Sequence, residues 1–310
     1  MTPSIPIHPD EQLEDLGIAG LQILQSPHYF KFNIDAVLLA WFAASAVHPS
    51  SKVVDLGTGT GILPLLLHGR TGVRHIDALE LQPVVADMAA RSVAINHLTD
   101  VIHIHCGDLR QPGTAFHASA YDAVISNPPF LPVGHGGVNP DDALAIARHE
   151  ITCTLEDIAR FARTMLKDRG KLFLVHRADR LTDIAVTLRA HGLELKRLRA
   201  VHPRPDKPAN LVLCEAMKKG RPGLTIAPPL TIYREDGRYS DTVNTIYGTD
   251  APRACRPRKK ADPKGSAFWI PVFKPFYDNK RHRCAWDHSR EAFSRKSGSV
   301  YRRASLFSAA

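Results

Sequence analysis

Several common features are missing from this 310-residue chain. No C-x-x-C pair occurs, and the five cysteines, Cys106, Cys153, Cys214, Cys255 and Cys284, are odd in number and scattered. That excludes an obvious zinc ribbon or dithiol redox site and suggests a reducing compartment. His282, Cys284 and His288 lie close in sequence but match no zinc spacing, so no metal site is expected. The start, MTPSIPIHPDEQLEDLG, lacks the basic and apolar regions of a secretory signal. The longest apolar run, AVLLAWFAASAV (Ala36 to Val47), is well short of the roughly 18 residues that a membrane span needs. A cytoplasmic protein with no membrane partner is the expectation, with a monomer favoured. No internal repeat is visible.

Net positive charge is lacking where a fold is expected. Residues 251–310 hold 15 Lys+Arg and 4 Asp+Glu, a net of +11. The rest holds 40 − 15 = 25 basic and 31 − 4 = 27 acidic residues, a net of −2. The overall charge of +9 therefore belongs to the tail and gives no support for nucleic-acid binding by the first 250 residues as a whole.

Between Lys52 and Lys218, short apolar runs alternate with helical patterns. KVVDLG, HIDALEL, VIHIHCGDL, YDAVIS and KLFLVHR read as strands. PVVADMAARSVAINHL, TLEDIARFARTMLKDRG and ADRLTDIAVTLRAHG read as helices, the second with a Thr154–Asp157 capping box and Gly170 as its terminator. LELKRLRAVHP and NLVLCEAMK read as a closing antiparallel pair. The pattern predicts a doubly wound α/β domain with helices on both faces of a mostly parallel, seven-stranded sheet. Residues 1–50 are expected to form a cap, beginning with a turn or short hairpin and ending in a helix that packs on a ligand site. Residues 51–248 form the main domain, and 249–310 a basic extension without sustained period. That extension reads equally as an RNA anchor, an inert addition or an altered reading frame.

VVDLGTGTGILPLLL places Gly57, Thr58, Gly59 and Gly61 between a strand and a helix. Such a turn brings backbone N–H groups close to a ligand. The spacing is G-x-G-x-G, not the G-x-G-x-x-G of dinucleotide sites. Asp55 precedes the loop, where a carboxylate suits the cationic methionine part of S-adenosyl-L-methionine and does not suit a pyrophosphate. Glu80, followed by Leu81, ends the second strand, where an acid can hold two ribose hydroxyls. Asp108, followed by Leu109, ends the third, where an acid can accept from an adenine amine.

The fourth strand ends in Asn127-Pro128-Pro129-Phe130. The asparagine oxygen and the Pro128 carbonyl are two acceptors for the two protons of an exocyclic amine. Accepting both biases the nitrogen toward a pyramidal, more nucleophilic form, so catalysis rests on positioning and electrostatics. Phe130 offers a stacking face for a base.

DLGTGTG, Glu80, Gly107-Asp108 and NPPF together resemble the motif set of class I, S-adenosylmethionine-dependent amino methyltransferases. EDLGIAGLQILQSPHYFKFNIDAVLLAWFA, ARHEITCTLEDIARFA, LVHRADRL, the stretch from VHPRPDKPAN to TIAPPLTIY and YSDTVNTIYG are similar to the bacterial tRNA1(Val) adenine-N6 methyltransferase family, over about Leu13 to Gly248. The resemblance implies a Rossmann-like fold, S-adenosyl-L-methionine as cofactor, and N6-methylation of the tRNA adenine at position 37, with the anticodon arm as partner. It also implies that FKFNIDAVLL closes over the cofactor, with Phe32 against the ligand and Asp35 capping the helix or reaching the site, unless both simply pack. Asn33 stands where a glycine is expected, which leaves the role of Asp35 open. Arg148, Arg177, Arg204 and Lys207 are candidates for RNA phosphate. Rival readings are the same machinery aimed at an rRNA guanine N2 or a protein glutamine, and a non-catalytic RNA-binding protein.

Overall fold

The computed structural model describes residues 5–29, 32–128 and 153–248. Two short strands, β1 (Gln12–Asp15) and β2 (Gln22–Gln25), form an antiparallel hairpin separate from the main sheet. Helix α1 (Ile34–Ala44) follows, capped by Asn33, whose side-chain oxygen accepts from the Asp35 amide at 3.1 Å. Asparagine is among the best N-caps, so the departure from glycine keeps the helix start.

Then come β3 (Lys52–Leu56), α2 (Ile62–Thr71), β4 (His75–Glu80), α3 (Pro83–Ile95), β5 (Ile102–Cys106) and β6 (Tyr121–Ser126). From Leu155 onward follow α4 (Leu155–Met165), β7 (Leu166–Arg177), α5 (Leu181–Ala190), β8 (Leu193–His202), β9 (Leu211–Lys218), β10 (Thr225–Thr231) and α6 (Asp241–Ile246). Among the described residues no helix is long and apolar enough to cross a membrane.

The main sheet has eight strands rather than the expected seven, in the order β10-β8-β9-β7-β6-β3-β4-β5. β9 is antiparallel to both β7 and β8, which is the anticipated closing pair. The additional strand is β10, parallel to β8, with sequence TIAPPLT. Its two prolines argue against a strand in sequence. They are tolerated because β10 lies at the sheet edge and its pairing jumps from Ala227 to Leu230, past both.

Alternation along the central strands divides the core between two faces. Val53, Ile76 and Ile125 join α1 and α2 on one side, with Val93 of α3. Val54, Leu56, Leu79 and Val124 join Ile158 and Phe161 of α4 and Ile184 and Leu188 of α5 on the other. The Thr154–Asp157 capping box is present. α4 nevertheless stops at Met165 rather than at Gly170. Leu166, fully buried, already pairs with Tyr121, and the next β6–β7 partners are Ala123 and Lys171, so residues 167–170 bulge out with Arg169 at φ +65°. Burial of Leu166 in the sheet outweighs helix propensity in that stretch.

Candidate active site at the carboxyl edge of the sheet

In the strand order, β3 has β4 on one side and β6 on the other. The chain leaves β3 toward β4 and returns later to β6, so the crevice beyond Leu56 and Ser126 is a topological switch point, where open α/β sheets hold their ligands. β3 and β6 are parallel with Leu56 opposite Ser126, and Ser126 Oγ donates to the Leu56 carbonyl at 3.0 Å. Gly57 and Asn127 are the next residues of the two chains. The register alone brings the glycine turn and the half-exposed Asn127 to the same edge.

The glycine turn folds back on β4. The amides of Gly57 and Thr58 both donate to the Leu79 carbonyl, at 2.9 and 3.1 Å. Gly57 and Gly59 have φ of +70° and +58°, a region that residues with a Cβ avoid, and a Cβ on either would meet nothing within 4 Å. Open space therefore lies over these two residues. Gly61, at φ +91°, starts α2 and sits against Ala89 of α3.

Asp55 stands at the base of this turn with no exposed surface. Neither carboxylate oxygen has a hydrogen-bond partner among the described residues, and the same holds for Thr58 Oγ. Burial pushes the Asp55 carboxyl up to about 7. The neighbouring Thr58 hydroxyl, close by but outside hydrogen-bonding geometry, offsets part of the shift, and the nearby Glu80 charge adds to it. An unpaired buried carboxylate is costly unless a ligand completes it. These orphaned acceptors beside an open glycine cradle fit a ligand with a cationic amine.

Glu80 is buried and accepts from the Gly59 amide at 3.0 Å with one oxygen and from the Gln82 amide at 3.0 Å with the other. It thus ties the glycine loop to the start of α3. Leu81, just beyond, is exposed. Asp108 follows β5 and is engaged by Arg110, whose amide and guanidinium both donate to it and hold its carboxyl below the usual range. An adenine amine would have to share that carboxylate with Arg110, which sequence reading did not anticipate. Leu109 packs on the α4 side of the core. The described chain resumes beside these acids. Burial and the charges of Asp157, Asp108 and Glu80 push the Cys153 thiol up to about 12, which disfavours its thiolate form.

Pro128 is buried next to Asn127. Pro129, Phe130 and Arg148 lie outside the described residues, as do residues 249–310 with His282, Cys284 and His288. Phe32 packs partly buried on the α1 side of the core, and Asp35 is buried in the first turn of α1. Asn33, not Asp35, caps that helix. Its amide also donates to Asp35 Oδ2 at 2.9 Å, opposing the burial that raises the Asp35 carboxyl to about 6.

Arg177 ends β7 and is paired with Asp179. Arg204 and Lys207 are exposed on the turn after β8, where the Lys207 carbonyl meets His202 Nδ1 at 2.8 Å. β8 runs in the same direction as β6 and β7, so this turn also lies on the carboxyl edge.

Sequence reading missed Gln25 and Thr60. Gln25 Nε2 donates to Thr60 Oγ1 at 2.6 Å, and both residues are buried. The signal was present in LQILQ, where Gln25 falls in phase with the buried Leu21 and Ile23.

Residues 34–190 match the Methyltransferase small domain family. A tRNA1(Val) (adenine(37)-N6)-methyltransferase of Tolumonas auensis is 33% identical over 216 residues, covering 68% of this chain and 85% of the relative. An enzyme of the same name from Porphyromonas gingivalis is 31% identical over 189 residues, covering 60% and 73%. Among solved structures, a predicted O-methyltransferase, Atu636 from Agrobacterium tumefaciens, superposes with a TM-score of 0.55 at 22% identity, over 69% of this chain and 95% of that one, and shows the shared fold. With its glycine cradle and orphaned acid in place, the chain belongs to the tRNA1(Val) (adenine(37)-N6)-methyltransferase family of S-adenosylmethionine-dependent enzymes.

Proposed function

We propose that this protein methylates N6 of an adenine in tRNA, at position 37 beside the anticodon. The reading rests on one observation above others: the Asp55 carboxylate, unpartnered among the described residues, and the open glycine turn lie at the same switch point as Asn127, through the Leu56–Ser126 pairing.

S-adenosylmethionine, when bound, would supply an electrophilic methyl group on a sulfonium, the C–S bond breaking as the N–C bond forms and S-adenosylhomocysteine leaving as the neutral thioether. The chain's own residues bind and orient. Asp55 offers its carboxylate to the amino-acid part of the cofactor. The Gly57–Gly59 turn gives the backbone room to approach it. Glu80 is the acceptor for ribose hydroxyls and must then exchange a backbone amide for them. Asp108, shared with Arg110, would accept a hydrogen bond from the adenine amine of the cofactor.

On the substrate side, Asn127 Oδ1 and the Pro128 carbonyl accept hydrogen bonds from the two N–H groups of the target amine and draw its lone pair out of conjugation with the ring. Phe130 stacks on the extruded base. No strong base is required, because the amine proton leaves after its nitrogen has been alkylated and has become acidic. Arg177, Arg204 and Lys207 meet backbone phosphate of the anticodon arm. They fix register without reading sequence.

Mass spectrometry of nucleosides from total tRNA of cells with and without the gene tests this. Loss of N6-methyladenosine from one tRNA is expected. An unchanged tRNA pool with a changed rRNA guanine or release-factor glutamine overturns it.

A further inference from the structure

The N-terminal hairpin is seated on α3 rather than on the sheet. The side chains of Ser92 in α3 and of Asn96, its C-cap, take the place of a neighbouring strand. Asn96 Oδ1 accepts from the Gln22 amide at 2.9 Å while its Nδ2 donates to the Gln22 carbonyl at 2.6 Å. Ser92 Oγ accepts from the Leu24 amide at 3.0 Å. Arg91 pairs through both terminal nitrogens with Glu11 and reaches the Pro6 carbonyl at 3.1 Å. The register of β2 on α3 is therefore set, and with it the place of Gln25.

Gln25 is 1% exposed and uses both ends of its amide. Nε2 donates to Thr60 Oγ1 at 2.6 Å, inside the glycine loop, and to its neighbour's carbonyl, Leu24 O, at 3.2 Å. Oε1 accepts from the Phe32 amide at 3.3 Å, in the segment leading to α1. Thr60 lies between Gly59, whose amide is held by Glu80, and Gly61, which opens α2. One buried amide thus spans the glycine loop and the segment that carries Phe32. A buried polar side chain with partners on two separate segments enforces their relative placement, since losing either partner strands a buried group.

The geometry points to Gln25 as a positioning residue that holds the glycine loop in its cofactor-receptive shape from the N-terminal hairpin. It does so by fixing Thr60, while Glu80 fixes Gly59 from the other side. Gln25 itself does not touch the cofactor. The inference rests on S-adenosylmethionine being the ligand of this loop.

The test uses the full chain, with S-adenosylhomocysteine titrated calorimetrically into wild type, Gln25→Ala, Thr60→Val, Thr60→Ser and the Gln25→Ala/Thr60→Val double variant. Thermal melting and amide exchange of residues 57–61 are followed without ligand. Expected are affinities about 5- to 10-fold weaker for Gln25→Ala and Thr60→Val, and no further loss in the double variant. Thr60→Ser, which keeps the hydroxyl, stays near wild type, and exchange at 57–61 is faster in Gln25→Ala. Affinity within twofold of wild type in both single variants, whatever their melting temperature, overturns the inference, as does a double variant whose loss is the product of the singles. Failure of wild type to bind would instead refute the cofactor reading.

Discussion

Leu56 and Ser126 lie opposite each other in the parallel β3–β6 pair, and the Ser126 hydroxyl donates to the Leu56 carbonyl at 3.0 Å. This contact closes the last rung before the two chains diverge, one into the glycine turn and the other into Asn127-Pro128.

Asn127→Ala is expected to lower turnover by at least about 100-fold, the order seen when a positioned donor or acceptor of the reacting group is removed. Cofactor affinity should change by less than about threefold, because Asn127 acts on the substrate side. Single-turnover rates with tRNA beside a cofactor titration separate the two, and near-normal turnover would remove the assigned role.

Asp55 sets a pH dependence whose sign can be worked out. Its carboxyl ordinarily titrates near 3.8 and is raised to about 7 in the fold by burial. Between those values the folded, ligand-free protein holds a proton that the unfolded chain lacks, so stability falls as pH rises through that window, by up to about 1.4 kcal/mol per unit. A cationic ligand needs the carboxylate, so cofactor affinity should weaken as pH falls below 7, approaching tenfold per unit. Asp35, raised to about 6, contributes to stability with the same sign. Comparing wild type with Asp55→Asn isolates Asp55. A wild-type affinity that is flat between about pH 5 and 7 would contradict the assignment.

Removal of Arg91 should release the hairpin. The Arg91 and Glu11 side chains are both buried at their contact, and loss of one partner of such a pair costs about 3 kcal/mol. Arg91 holds the Glu11 carboxyl down at about 2, against an ordinary 4.5. The stabilisation is therefore complete above 4.5 and lost as pH falls toward 2. Denaturation of Arg91→Ala should show a deficit against wild type at pH 7 that shrinks at about pH 3. An equal deficit at both values would mean that the pair works by packing alone.

Arg204→Ala and Lys207→Ala test the RNA edge. Each should weaken tRNA binding, reduce the slope of log affinity against log salt by about one, and leave cofactor affinity unchanged. If neither variant alters the slope, the turn after β8 does not contact phosphate.

The strands near the site were readable because β3, β4, β5 and β6 each carry a short apolar run or a period-two alternation that ends at a distinctive residue: Asp55 before glycines, Glu80, the Gly107-Asp108 pair, Asn127. The eighth strand was not readable, since Pro228 and Pro229 erase the local strand signal and only an edge position in the sheet accommodates them. The early stop of α4 was hidden for the opposite reason. Residues through Gly170 keep a helical pattern, but Leu166 gains more by burial beside Tyr121.

The amino-acid order alone therefore specified the alternating α/β layout, the glycine turn, the acids at three strand ends and the Asn-Pro-Pro motif, because each is a local pattern whose chemistry acts within a few residues. Tertiary packing decided the rest. It left Asp55 without a partner among the described residues, gave Asp108 to Arg110, and placed Gln25 against Thr60 across 35 residues of chain. Such outcomes depend on which surfaces exclude water and which distant groups meet, and neither is a property of any short stretch of chain.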